Sequence, residues 1–421
     1  MLHPVPVRLR YQVLAFTITR TIINTAFRMI YPFLPAIARG LGVSLESVTL
    51  GITLRSAMGL LSPAFGSFAD VWGRKRALLL GVLLFTVGMI LVALSPTYPA
   101  LIISLLLVGA SKIVFDPAMY AYLGDHVAYH QRGLAIGLAE FGWSGAFLLG
   151  IPVVGWLIAR NEWTAPFPWA QTSHLGIPLI RGLLPGERWD APFIWLMLLG
   201  VGLIVLLWSI LPVDTSHTMA RTSLRQGFRT ILTYPPAVAG LTISILISAS
   251  NETVNIVYGV WMENSFGLQV AALGAASAII GIAELGGEGL VAGFVDRIGK
   301  RRAVGIGLSS YAVACILLPI IGTTPQGALV GLFVFYLTFE FTIVSSIPLM
   351  TELIPAARAT LMAGNVAAFS LGRVFGSLIG PVLFSYGLGV NAVTAAIMNL
   401  IALAALIFVL HEKSIKISPA V

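Results

Sequence analysis

The chain has 421 residues, 57% of them hydrophobic and only 10% charged, where an ordinary soluble domain is about a quarter charged. That excludes a soluble multidomain protein, and the spread of apolar residues from Tyr11 to His411 excludes a single anchor on a soluble domain. One cysteine and six scattered histidines exclude a disulfide scaffold and a structural zinc site, and the net charge of +8 reads as membrane topology rather than a nucleic-acid footprint.

A helix crosses a bilayer with roughly 20 mostly apolar residues. Twelve spans are predicted, over 11–35, 47–69, 77–95, 98–122, 133–158, 191–212, 235–261, 271–293, 303–321, 326–350, 359–385 and 390–411. Unbroken apolar runs such as LLLGVLLFTVGMILVAL lack the alternation of a porin strand. The first span follows Arg8 and Arg10, exceeds a signal-peptide core in length and contains Arg20 and Arg28, so it is expected to be retained. With the N-terminus inside, the inner segments hold Arg8, Arg10, Arg74, Lys75, Arg76, Arg132, Arg221, Arg225, Arg229, Arg297, Lys300, Arg301, Arg302, Arg358, Lys413 and Lys416. The outer segments hold only Arg39, Arg160, Arg181 and Arg188. This asymmetry places both termini in the cytoplasm.

The two halves match at one offset. Asp70, Gly73, Ala77, Gly81, Pro99, Arg132 and Gly150 correspond to Asp296, Gly299, Ala303, Gly307, Pro325, Arg358 and Gly376. Arg74-Lys75-Arg76 likewise corresponds to Lys300-Arg301-Arg302. The expected fold class is therefore an all-α integral membrane protein of two parallel six-helix repeats. The repeats are bounded as an N-terminal bundle over 1–212, a cytoplasmic linker over 213–234 and a C-terminal bundle over 235–421. A long outer connection over 160–190 is present only in the first half. Its Trp163, Phe167, Trp169 and Trp189 read as interfacial anchors.

Between the second and third spans stands GSFADVWGRKR, residues 66–76, and its repeat is AGFVDRIGKRR, with Ala292 at the first glycine position. Gly73 suits a tight turn of positive φ. This pair resembles the signature loop of the major facilitator superfamily, in the right place in both halves, and the resemblance covers the whole chain. In that family the loop latches the halves together on the inner side. The resemblance implies a conformational gate of Gly66, Asp70, Gly73, Arg74, Lys75 and Arg132, with Asp296, Gly299, Lys300 and Arg358 in the second half. Arg76 and Arg302 are read as topology only. GIPVVGWL, from Gly150 to Leu157, looks like a partial form of the Gly-Pro motif of antiporters in this superfamily, with Ile151 intervening and Trp156 at the second glycine position. Gly372, Gly376 and Gly380, at spacing four, suit close helix packing.

Eleven charged residues fall within the predicted spans: Arg20, Arg28, Arg55, Lys112, Asp116, Glu140, Glu252, Glu284, Glu288, Glu340 and Arg373. Ionised groups at mid-bilayer are costly, so they must pair or line a water-filled path. At about 1.5 Å of rise per residue, Arg20, Lys112, Asp116 and Glu140 reach a similar depth. Arg20, Asn24 and Arg28 form one stripe on the first helix, and Lys112 and Asp116 share a face at i,i+4. Arg55 and Arg373 are expected in structural ion pairs. Trp143 follows Glu140 by three residues, and Asn255 follows Glu252 by three. Glu284 and Glu288 repel at i,i+4, which makes them proton-carrier candidates in the second half, as Asp116 is in the first. Pro117 is expected to favour a bend in the fourth helix.

No Gly-rich phosphate loop with lysine and no nucleophile–base arrangement occurs, so no enzyme, cofactor or metal is expected. The resemblance implies a secondary transporter working by alternating access. The buried acids and partial antiporter motif favour proton-driven export, similar to the drug:proton antiporter branch. Two alternatives stand: a proton symporter importing an anionic or amphiphilic solute, and a non-transporting receptor or assembly factor on the same fold. Expected partners are a small-molecule substrate, protons and the lipid bilayer, with no nucleic acid. A monomer in the inner (plasma) membrane is expected.

Overall fold

The computed structural model describes residues 7–65, 72–127, 129–159, 188–212, 231–354 and 358–410. Residues 160–187 and 213–230 lie outside them, as do Gly66 and Asp70 and the side chains of Arg132 and Arg358. Among the described residues all regular structure is helical.

The first predicted span forms two helices, α1 (Val7–Arg28) and α2 (Ile30–Leu41), bent by 50°. The expectation of one continuous helix over 11–35 is corrected. Pro32 has no N–H for the Arg28 carbonyl and its ring crowds that oxygen, so the helix breaks at Met29. The second span runs through α3 (Leu45–Met58), a 3-10 turn at Gly59–Leu61 and α4 (Ser62–Phe65). There follow α5 (Arg74–Leu94), α6 (Tyr98–His126), α7 (Tyr129–Gly145), a π turn at Ala146–Gly150, α8 (Ile151–Ala159) and α9 (Ala191–Ile210). The second half comprises α10 (Pro235–Asn255), α11 (Tyr258–Phe266), α12 (Val270–Ile298), α13 (Lys300–Ile321), α14 (Pro325–Leu353), α15 (Arg358–Phe384) and α16 (Leu388–Phe408).

Ten stretches, with α7–α8 and α10–α11 counted as one each, are long and apolar enough to cross a bilayer, and the bent α1–α2 pair makes an eleventh. The span predicted over 47–69 is interrupted by the 3-10 turn, so no single helix there reaches that length among the described residues. The seventh predicted span also breaks, at Ile256 and Val257. By contrast α6 runs through Pro117 as one helix.

The chain forms two compact units. One holds residues 1–55, 64–218 and 268–281; the other holds 56–63, 219–267 and 282–421. In the first, α1 packs along α7, α5 along α6, and α9 along α5. In the second, α10 packs along α15, α13 along α14, and α16 along α13. The same pairings thus recur in each repeat. Glycine permits the closest of them. A Cβ at Gly81 would meet the Phe115 Cβ at 2.8 Å, and one at Gly307 would meet the Thr342 Cα at 3.0 Å.

Both signature loops reach their helices through a glycine of positive φ, 92° at Gly73 and 88° at Gly299. Trp189 is buried, edge-on to Phe193 with ring centroids 5.9 Å apart, so its reading as an interfacial anchor is corrected. Trp163, Phe167 and Trp169 lie outside the described residues. The single cysteine, Cys315, is fully buried in α13 beside the Asn399 amide.

Candidate functional site

In the first unit the polar stripe of α1 lies against the backbone of α7. Gly142 has no side chain to hold the helices apart: a Cβ there would stand 2.6 Å from the Arg20 Cβ. The stripe reads along α7 in order. Arg20 Nη1 donates to the Ala139 carbonyl at 3.1 Å, Asn24 Nδ2 to the Gly142 carbonyl at 3.1 Å and Arg28 Nη1 to the Trp143 carbonyl at 3.2 Å. The π turn that follows widens α7 just before Pro152, a local distortion common beside functional positions.

Arg20 sits between two carboxylates, 2.7 Å from Glu140 Oε1 through Nη1 and 3.4 Å from Asp116 Oδ1 through Nε. Lys112 Nζ lies 2.9 Å from Asp116 Oδ2 and donates to Asn24 Oδ1 at 2.7 Å. The Tyr120 hydroxyl donates to Glu140. Four of the sequence-derived charges are therefore brought into one network from α1, α6 and α7, two cations against two anions. Arg20 is 4% exposed and Asn24 1%, while Lys112, Asp116 and Glu140 are half-buried, so attraction between these groups is screened less than at an open surface.

Aromatic faces extend the network. The Arg28 guanidinium lies 4.1 Å from the Trp143 ring centroid and 3.9 Å from that of Phe147. Lys112 is 5.1 Å from Trp143 and 5.6 Å from Phe27. Phe27 also carries Arg55, at 3.8 Å. The ring quadrupole favours a desolvated cation over its face. Arg55 donates to the Phe27 carbonyl and, at 2.8 Å, to the Tyr31 hydroxyl. Among the described residues no carboxylate contacts it, so the expectation of a structural ion pair at Arg55 is corrected. The guanidinium instead joins the end of α1 to α2 across their break, where the last carbonyls of α1 favour a cation. Tyr120 was expected close to the Lys112/Asp116 face, whereas Phe27, Tyr31 and Phe147 escaped the sequence reading. The one available signal was aromatic spacing of four, Phe27 to Tyr31 and Trp143 to Phe147.

The second unit carries its acids on α10, α12 and α14. Glu252 is buried in α10, 3.4 Å from Asn255 Nδ2, and Asn255 Oδ1 accepts from the Tyr336 hydroxyl at 2.6 Å. Glu284 is fully buried in α12, Glu288 half-buried and Glu340 buried in α14. A Cβ at Gly287 would stand 2.7 Å from the Glu340 Cβ, so Glu340 packs against the α12 segment that carries Glu284 and Glu288. Buried amides hold this unit: Asn391 Nδ2 donates to the Thr253 and Gly380 carbonyls at 2.8 Å, and Asn399 Nδ2 to Ser250 Oγ at 2.7 Å. A Cβ at Gly372 would meet the Ser248 Cβ at 2.8 Å, so the α15 glycines face α10.

The two signature loops make matching contacts. Arg74 Nε binds Asp125 Oδ2 at 3.0 Å, and Lys300 pairs with Glu352. Lys75 Nζ donates to the Trp208 and Leu211 carbonyls at 2.8 and 2.6 Å, while Arg301 Nη2 donates to the Leu406 and Ile407 carbonyls at 3.3 and 3.2 Å. In each repeat, then, one basic residue pairs with an acid and the next caps the C-terminal end of the sixth span. Asp296 is exposed. Gly66, Asp70 and the side chains of Arg132 and Arg358 lie outside the described residues.

The model of the Major Facilitator Superfamily matches residues 16–250 and again 240–420. A segment of the uncharacterized MFS-type transporter YwfA of Bacillus subtilis is 28% identical over 136 residues, 32% of this chain and a third of that protein's length. Multidrug resistance protein 2 of the same organism is 23% identical over 342 residues, 77% of this chain and 76% of that one. The crystal structure of a D-xylose-proton symporter shares the fold, with a TM-score of 0.75 at 16% identity over 95% of this chain and 98% of that one.

Proposed function

From the premise that the chain belongs to the major facilitator superfamily, and is thus a multi-pass membrane transporter, we propose proton-driven export of a small molecule by alternating access. The observation that carries this reading is buried Arg20 bridging half-buried Asp116 and Glu140 within one charge-balanced network. Such a network changes its pairing when a proton enters. A proton on Asp116 removes the anion that Lys112 and Arg20 share. Arg20 then relies on Glu140, and Lys112 on Asn24 and the Trp143 face. Because these groups sit on α1, α6 and α7, re-pairing biases the packing of those helices. Buried Glu252, Glu284 and Glu340, with Glu288, supply further acids for the proton path. The signature-loop residues form the gate, and both termini face the cytoplasm of a cell whose inner membrane holds the protein as a monomer. The similarity to a multidrug resistance protein supports export.

A second reading, import of an anionic solute by symport, draws on Arg55, a buried guanidinium with no carboxylate beside it among the described residues. The two separate in proteoliposomes containing a pH-sensitive dye, with substrates chosen by a thermal-stabilisation screen of lipophilic cations, organic anions and neutral amphiphiles. Antiport moves protons against the substrate and symport moves them with it. Both readings fail if a stabilising ligand is transported with no proton movement.

A further inference from the structure

Beside the second signature loop lies a surface that gating alone does not account for. Three cavities meet around the first turns of α13. One, of about 450 Å³, is lined by Arg297, Lys300, Arg301 and Arg302 with Asp296 and Glu352. Lys300 is paired with Glu352 and Arg301 gives Nη2 to the Leu406 and Ile407 carbonyls, so three guanidinium charges, two of them on the exposed Arg297 and Arg302, stand against Asp296. The second cavity, of about 930 Å³, starts at the same Arg301 and Arg302 and runs down between α13, α14 and α16 past Val313 and Leu317. The third, of about 330 Å³, starts at Ile298, which also lines the basic cavity, and runs between α12, α13 and α14 past Leu290 and Phe294. Both grooves are apolar, and Ile306, Ser310 and Thr338 stand between them. They are open: Val313 is 58% exposed, Ile306 54% and Phe294 50%.

One basic chamber with two apolar grooves leaving it has the outline of a headgroup and two chains. We propose that this surface binds one anionic diacyl phospholipid of the leaflet that meets the α12–α13 turn. Its phosphate lies among Arg297, Arg301 and Arg302, and one acyl chain lies in each groove. Charge selects the class of lipid: the arginine excess favours a net negative headgroup over a zwitterionic one. Guanidinium matches phosphate oxygens through paired N–H donors. The grooves demand chains, so a free phosphate compound satisfies only part of the site.

The test uses full-length protein, delipidated in detergent and offered dioleoyl-phosphatidylglycerol and dioleoyl-phosphatidylcholine in equal amounts, with retained lipid read by native mass spectrometry. The wild type should retain the anionic lipid about fivefold more, the effect of one basic residue near a surface. Arg302→Gln with Arg297→Gln, both exposed positions, should bring the ratio close to one. Val313→Trp should lower retention of both lipids. Glycerol 3-phosphate should neither bind measurably nor raise the unfolding temperature. Equal retention of the two lipids by the wild type would overturn the proposal without recourse to any variant. So would an unchanged preference in the double variant, or stabilisation by glycerol phosphate equal to that by the lipid.

Discussion

Asp116 answers to two cations at once, so its neutralisation is felt by both Arg20 and Lys112. Removing one member of a half-buried ion network leaves charge uncompensated, at a cost of about 1–3 kcal/mol. Asp116→Asn is expected to lower the unfolding temperature in detergent and to abolish proton movement in proteoliposomes. Tyr120→Phe removes only a hydroxyl donor to Glu140. It should cost about 1 kcal/mol and leave the direction of transport unchanged. At Arg55, lysine keeps the charge but lacks the planar fork that reaches both the Phe27 carbonyl and the Tyr31 hydroxyl. Arg55→Lys should therefore destabilise by about 1–2 kcal/mol, measured by thermal unfolding, whereas a simple requirement for positive charge would leave stability intact.

At the scale of elements, the signature loops turn on backbone that only glycine adopts readily. Gly73→Ala and Gly299→Ala, at φ 92° and 88°, should each cost about 1–3 kcal/mol, seen as a lower unfolding temperature with the helical circular dichroism signal retained. This turn was legible beforehand, because a glycine between an acid and a basic cluster at the end of an apolar run leaves few alternatives. So were the helices themselves, since an apolar run of that length can satisfy its backbone in a bilayer only as a helix. The break at Met29 could have been read from Pro32 but was not, because the apolar run continues past it and the stripe of Arg20, Asn24 and Arg28 stays regular right up to it. The break at Ile256 has no proline and left no mark in the sequence. Periodicity placed Arg20, Lys112, Asp116 and Glu140 at one depth. It could not show that Arg55 turns toward the end of α1, because that contact depends on a bend made elsewhere.

Across the whole molecule the repeats share their helix pairings and loop contacts but not their interior chemistry. The first unit fastens its first span with charges, Arg20, Arg28 and Lys112, and the second fastens its first span with neutral amides, Asn391 and Asn399. Duplication thus preserved the helix pairings while the side chains that hold the first span of each half diverged. Sequence offset revealed the duplication through glycines, prolines and loop charges. The amides were missed because a lone asparagine in an apolar run does not announce its partner.

The burial of Cys315 has a practical consequence. With its only thiol inside α13, the chain should be silent toward bulky maleimides, so that a cysteine added at the surface becomes a unique reporter. Arg10→Cys and Tyr386→Cys, at exposed positions on opposite ends of their spans, should label differently in intact cells. Tyr386→Cys should react from outside, and Arg10→Cys only after permeabilisation. The reverse pattern would invert the topology. The same pair of handles, carrying fluorophores or spin labels, would let the working cycle be followed in an otherwise unaltered protein.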